Sequence, residues 1–207
     1  MESCPYKGLL PYREQDARYF FGRDTERRLI RDNLRASRLT ILYGTSGTGK
    51  SSVLGAGVAH DLKDDPDYLL VYFGTPGTWR NDPVSSLNAA VEEKLSVLPG
   101  YEPNGGNGSN HGLFHGLESR LVSVDRTLLV ILDQFEEYFQ YHGAEDGENT
   151  FAMEFPRILR QERIPVHFLL SVREDAIATL DRFKKRIPAL FNNRMRIEFL
   201  SRESALE

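Results

Sequence analysis

The chain has 207 residues, of which 40% are hydrophobic and 27% are charged, and its formal net charge is −4. This composition is ordinary for one α/β globular core, and it argues against a membrane-spanning chain, a basic nucleic-acid surface and, with Cys4 as the one cysteine, an internal disulfide. Because Met1–Pro5 lacks the basic-then-apolar layout of a signal peptide, we expect a cytoplasmic protein.

Apolar periodicity and turn residues predict helices that alternate with strands. The first half contains a lead-in to about Tyr19, a helix from Asp24 or Thr25 to Ala36, a strand Arg38–Tyr43, a helix Lys50–Leu62, a strand Tyr68–Phe73 and a helix from Asp82 or Ser85 to Val97. After a loop over 99–110, the second half contains a helix His111–Val124, a strand Thr127–Leu132, a loop 143–149, a helix Phe151–Gln161, a strand Pro165–Val172, a helix Glu174–Phe183 and a strand Arg194–Leu200. This alternation predicts a mainly parallel sheet of about five strands, covered on both faces.

Three packing details follow from residue type. The continuous apolar run Tyr68–Phe73 predicts a strand buried on both faces. Gly55 and Gly57 indicate that their helix packs closely against the sheet, and Pro156 is expected to kink or shorten its helix.

A glycine-rich segment follows the first strand directly and leads into a helix. It reads Gly44-Thr45-Ser46-Gly47-Thr48-Gly49-Lys50-Ser51-Ser52 and fits GxxxxGK[ST], the Walker A pattern of phosphate-binding loops. Glycines let successive amides turn toward one anion, and the following helix directs its N-terminal dipole at the same phosphates. Lys50 would reach the β- and γ-phosphates, and the Ser51 hydroxyl would ligate Mg²⁺. A glycine- and serine-rich turn alone would be a weak signal, but here the strand and the helix are both evident.

An aspartate ends the most apolar strand of the chain. Asp133 follows Leu128–Leu132, the place where nucleotide hydrolases hold a carboxylate for Mg²⁺, commonly through water. The alternative is that Asp133 only caps a helix that starts at Gln134. After a phosphate-binding loop, the Walker B interpretation is favoured.

Two more carboxylates follow at Glu136 and Glu137. One of them would polarise the attacking water, or both would form an acidic, solvated helix start favoured by the dipole. Residue spacing does not choose between the two glutamates.

An arginine ends the strand segment Val166–Arg173. Because the carboxyl ends of parallel strands line one crevice, Arg173 would face the γ-phosphate there. The alternative is a surface ion pair with Glu174 or Asp175.

Taken together, these segments resemble the STAND class, signal transduction ATPases related to AAA+ ATPases. Asp133-Gln134-Phe135-Glu136-Glu137 is similar to the extended Walker B of that class, and Leu170-Ser171-Val172-Arg173 is similar to its sensor 1 strand. Phe20-Phe21-Gly22-Arg23 resembles the segment that touches the base in these proteins. Cys4-Pro5-Tyr6-Lys7-Gly8-Leu9 resembles the opening of a prokaryotic branch often fused to β-propellers.

The resemblance implies an ATP/ADP-dependent switch with slow hydrolysis, in which ADP holds a closed state and ATP permits oligomerisation and effector activation in signalling or defence. It implies a P-loop NTPase sandwich of the additional-strand class, with the Arg173 strand between the Walker A and Walker B strands. We expect 1–22 to be a lead-in that packs on the nucleotide site and 23–207 to be the NTPase domain. Family members continue into helical and winged-helix domains, so we interpret the chain as an excerpt of a longer protein, monomeric as a fragment and oligomeric in its activated parent.

Two other functions stay open at this point. One is a scaffold that binds nucleotide without turnover, and the other is a motor ATPase on nucleic acid, which the acidic balance disfavours. A small-molecule kinase has no second phosphate motif to support it. His111 and His115 are better explained as surface residues than as metal ligands, Cys4 has no base partner, and Trp79 would either border the crevice or pack under the loop.

Overall fold

Five strands pair in parallel to form one sheet. The structure is a computed structural model that describes residues 8, 10–75, 77–102 and 112–200. The strands are β1 (Leu39–Gly44), β2 (Tyr68–Phe73), β3 (Thr127–Leu132), β4 (Val166–Arg173) and β5 (Arg194–Arg196). Their order is β2-β3-β4-β1-β5, so the strand that ends in Arg173 lies between the strands that lead to Gly44 and Asp133. This order confirms the predicted additional-strand arrangement.

Helices connect the strands. They are α1 (Asp24–Ala36), α2 (Lys50–Ser52), α3 (His60–Leu62), α4 (Pro83–Ser96), α5 (Leu113–Leu121), α6 (Glu136–His142), α7 (Phe151–Leu159) and α8 (Asp181–Lys184), with 3-10 segments at Glu14–Tyr19, Thr78–Arg80 and Glu174–Leu180. A π-helical stretch, Val53–Ala59, joins α2 to α3 without a break. Nowhere in the described ranges does a helix combine the length and the apolarity that crossing a membrane requires.

β3 shows how the two faces of the sheet are covered. Leu128, Val130 and Leu132 pack into the cluster that contains the apolar side chains of α4, α5 and α7. Leu129 and Ile131 pack into the cluster on the other face, formed with α1 and the π-helical stretch. All five side chains are 0% exposed, as expected for a central strand of a doubly covered parallel sheet. The fold is therefore the predicted α/β three-layer sandwich.

β2 is not buried on both faces as predicted. Its burial alternates, and Tyr68, Leu70 and Tyr72 are only partly buried. The reason is its position at the edge of the sheet, where β3 is its one strand partner in the described sheet. An apolar run does not reveal whether a strand is central or at an edge.

The two helical glycines pack against other elements than the sheet. A Cβ atom on Gly55 would lie 2.9 Å from the carbonyl oxygen of Tyr12, and one on Gly57 would lie 2.6 Å from the side chain of Arg27. These glycines therefore admit the lead-in and α1, whereas the helix packs on the sheet, as expected, through Val53, Leu54 and Val58.

The last strand is shorter than predicted. The amide of Ile197 donates to the carbonyl of Tyr43, and β1 itself ends one residue later, at Gly44. β5 therefore ends at Arg196. The predictions for Cys4–Lys7, Leu9, the loop residues 103–110, His111 and 201–207 lie outside the described residues.

Candidate functional site

The loop between β1 and α2 has the backbone that its glycines predict. Gly47 and Gly49 have φ angles of 81° and 86°, a left-handed conformation that L side chains rarely adopt. Gly44 is also required by space, because a Cβ atom there would lie 2.3 Å from the carbonyl oxygen of Ile197. Ser46, Gly47, Gly49 and Lys50–Ser52 line one cleft at the carboxyl edge of the sheet, whereas Thr48 is buried and its hydroxyl donates to the carbonyl of Thr45.

Lys50 lies over this loop. Its Nζ donates to the carbonyl oxygens of Gly44 at 2.8 Å and Thr45 at 3.1 Å. Burial lowers the pKa of the amine, while the carboxylates of Glu136 and Asp133 oppose that shift. The cation and both carboxylates therefore act on one another across the cleft.

Asp133 is held from several sides. It is 2% exposed, its Oδ1 accepts from the amide of Gln134 at 2.9 Å, and its Oδ2 accepts from the Tyr72 hydroxyl at 2.7 Å. Its own carbonyl accepts from the indole of Trp79 at 2.8 Å. The N-cap of α6 is Phe135, so Asp133 is not the helix cap of the alternative interpretation.

The two glutamates occupy different places. Glu136 lines the cleft with Lys50 and Asp133, and its Oε2 accepts from the amide of Arg173 at 3.2 Å. Burial raises the pKa of its carboxyl, opposed by backbone hydrogen bonds and by the charge of Lys50. Glu137 is not one of the described residues that line the cleft. The structure thus separates two carboxylates that residue spacing left equivalent.

Arg173 forms one of the surface ion pairs of the alternative interpretation, and it also lies at the cleft. It lines the cleft at the end of β4, yet its guanidinium forms an ion pair with Asp175, with Nη2 2.5 Å from Oδ2. Hydrogen bonding to Asp175, together with that charge, raises the pKa of Arg173. In this conformation the side chain is engaged at the rim of the cleft.

The Phe21-Gly22-Arg23 segment divides into an exposed and a buried part. Phe21 is 68% exposed, and Gly22 has a φ angle of 76°. Arg23 is 4% exposed, and its Nη2 donates to the carbonyls of Thr48 at 3.0 Å and Glu198 at 2.6 Å. Arg23 therefore ties the phosphate-binding loop to the segment after β5.

Sequence reasoning missed two residues at this site. Gln134 has a left-handed φ of 54°, and Tyr72 donates to Asp133 across the neighbouring strand. The bond from Tyr72 depends on the register of β2 against β3, and the conformation of Gln134 depends on backbone rotation. The sequence has no signal for either. Of the two placements considered for Trp79, packing is observed, since its side chain is 0% exposed.

The residues at the cleft fit Mg²⁺. Ser51 and Asp133 line it and supply the hard oxygen ligands that this ion prefers. The amide oxygen of Gln134 is buried beside them and has no hydrogen-bond partner in the described ranges. Those ranges contain no group of three or more His, Cys, Asp or Glu that could hold a metal.

Several solved structures share this fold. A Walker-type ATPase of Pyrococcus abyssi matches with a TM-score of 0.60 and 15% identity over 96% of this chain and 59% of its own. The Aeropyrum pernix ORC2 protein, in ADPNP-ADP complexes, matches with a TM-score of 0.58 and 15% identity over 84% of this chain and 47% of its own. Cdc6p of Pyrobaculum aerophilum matches with a TM-score of 0.56 and 20% identity over 95% of this chain and 48% of its own.

The chain spans about half the length of these structures. Among curated proteins none matches it. A family model, described as Novel STAND NTPase 1, matches residues 5–207, which is nearly the whole chain. The chain therefore belongs to the novel STAND NTPase 1 family.

Proposed function

We propose that this chain is the Mg²⁺-dependent ATP/ADP-binding core of a signalling switch that hydrolyses ATP slowly. The observation that carries the proposal is that functional residues from distant parts of the sequence meet at one place. The phosphate-binding loop, Lys50, Asp133, Glu136 and Arg173 come from three parallel strands and meet at one cleft. Ligands bind at this edge of open α/β sheets, where strand ends bring distant residues together.

Each residue has a role that its geometry supports. The loop amides and Lys50 would neutralise the phosphates, and Ser51 and Asp133 would hold Mg²⁺, which when bound offsets charge on the phosphate oxygens. Glu136 would accept a proton from the attacking water, because its buried carboxyl is more basic than an exposed one. Arg173 would exchange Asp175 for the γ-phosphate.

The switch and the domain boundaries are also proposals. We place the lead-in at 1–22 and the NTPase domain at 23–207, continued by helical and winged-helix domains in the parent protein. The lead-in contacts the site, since the amide of Tyr12 donates to the Ser52 hydroxyl at 3.1 Å and Pro11 lines the cleft. Phe21, Gly22 and Arg23 would lie beside the base. ATP would favour oligomers of the parent, whereas the fragment would be monomeric.

Phosphate release with excess ATP tests this proposal against its rivals. We expect slow release that EDTA abolishes and that added DNA or RNA leaves unchanged, with a monomeric mass by light scattering. Binding without any release would favour a nucleotide scaffold. Stimulation by nucleic acid, lost at higher salt, would favour a motor ATPase.

A further inference from the structure

The hydroxyl of Tyr72 bonds to the carboxylate proposed to hold Mg²⁺. The distance from Tyr72 Oη to Asp133 Oδ2 is 2.7 Å, within the range of a strong hydrogen bond to a charged acceptor. Tyr72 lies on β2 opposite Ile131 of β3, two residues before Asp133, and from there its hydroxyl reaches the carboxylate. Burial, followed by the charge and hydrogen bond of Asp133, raises the pKa of Tyr72 well above its usual range. Because an ionised carboxylate only accepts hydrogen bonds, the Tyr72 hydroxyl is the donor.

This bond completes a clamp on the carboxylate. The amide of Gln134 occupies Oδ1 and Tyr72 occupies Oδ2, so neither oxygen is free to rotate away. The main chain of Asp133 is fixed as well, since its amide donates to Phe73 and its carbonyl accepts from Trp79. Two donors on the two oxygens leave one orientation in which the remaining lone pairs can meet a ligand.

Space for water adjoins this clamp. A cavity of about 270 Å³ is lined by Tyr72, Asp133, Gln134 and Ser51 together with the lead-in residues 11–14. A water molecule occupies about 30 Å³ in the liquid, so the cavity accommodates several. The carboxylate can thus reach a metal through ordered water while it keeps both protein donors.

We propose that Tyr72 is a positioning residue that orients Asp133 toward the water shell of the bound metal. This inference rests on the proposed function, since it requires a nucleotide-bound Mg²⁺. Partners that orient a metal-holding carboxylate generally cost about 10- to 100-fold in metal affinity or activity when they are removed. Tyr72 should therefore act on the magnesium requirement and leave nucleotide binding without metal unchanged.

The sheet supplies a matched control for the test. Tyr68 lies four residues earlier on the same face of β2, where its ring packs under the guanidinium of Arg35 at 5.0 Å. Trp79 is the one tryptophan of the chain and donates to Asp133, so its fluorescence reports on the site. Tyr72→Phe and Tyr68→Phe each remove one hydroxyl from the same strand, and thermal unfolding without nucleotide compares their folding with that of the wild type.

The experiment titrates ADP in EDTA and then Mg²⁺ at saturating ADP. We expect Tyr72→Phe to keep the ADP affinity in EDTA and to need about tenfold more Mg²⁺, with Tyr68→Phe unchanged. In an Asp133→Asn background, Tyr72→Phe should add no further change, because it acts through the carboxylate. An unaltered magnesium requirement in Tyr72→Phe, or an equal shift in Tyr68→Phe, would overturn this inference alone. Absence of ADP binding by the wild type at any Mg²⁺ concentration would instead overturn the proposed function and this inference with it.

Discussion

The guanidinium of Arg173 is paired with the carboxylate of Asp175, two residues further along the chain, at the rim of the proposed nucleotide cleft. If Arg173 must leave this partner to reach the γ-phosphate, Asp175→Asn should raise the affinity for ATP relative to ADP. The pair is exposed, so we expect a modest gain of about two- to fivefold. Glu174→Gln is the control, because Glu174 pairs with Arg196. Competition binding of ATP and ADP measures the ratio, and equal ratios in the two variants would refute a role for the pair.

Substitution of Glu136 and substitution of Glu137 should have different effects on the rate of ATP hydrolysis. Glu136 lies in the cleft, so Glu136→Gln should lower single-turnover hydrolysis by about 10²- to 10⁴-fold, with ATP binding retained. Glu137→Gln should hydrolyse ATP close to the wild-type rate. If Glu137→Gln were the inactive variant, the assignment of Glu136 as proton acceptor would be wrong.

The buried carboxyl of Glu136 also predicts a pH dependence of stability. Burial raises its pKa in the folded state, so its contribution to stability is present below the unfolded pKa and is lost as pH rises through the folded pKa. Glu136→Gln, which carries no charge, should therefore unfold at a higher temperature than the wild type at neutral pH and at a similar temperature in acid. Thermal unfolding without nucleotide across this range measures the difference. A constant difference at all pH values would show that titration of Glu136 is not its cause.

Arg23 should matter for folding even without nucleotide. Its buried guanidinium bonds to the carbonyls of Thr48 and Glu198, and Arg23→Ala would leave them without this donor. We expect a loss of about 2–3 kcal/mol in the free energy of unfolding. Arg28→Ala, at an exposed position on α1, should be neutral. Should Arg23→Ala bind nucleotide poorly but unfold normally in denaturant, Arg23 would be a ligand contact and not a structural link.

Much of the fold was predictable because its signals are local. β2 and β3 have the predicted limits, since continuous apolar runs between turn residues define a strand without further information. The Walker A loop was equally evident from its glycine spacing. The position of the Arg173 strand between its neighbours came from the family resemblance.

The missed features arise from tertiary geometry. The choice between Glu136 and Glu137 depends on where α6 begins, and Gln134, with its left-handed φ of 54°, sets that start. The bond from Tyr72 to Asp133 depends on the pairing of β2 with β3. Neither is encoded in the spacing of residue types along the chain.

Calorimetric titration of ATP and ADP with Mg²⁺ tests the central claim most directly. Lys50 Nζ lies over the phosphate-binding loop, so Lys50→Ala should abolish binding of both nucleotides while the fold is kept. Lys63→Ala, at an exposed position, should bind like the wild type. Binding by the wild type and by Lys63→Ala, with none by folded Lys50→Ala, is the result we predict. Equal nucleotide affinity in Lys50→Ala and the wild type would contradict the assignment of this cleft as the nucleotide site.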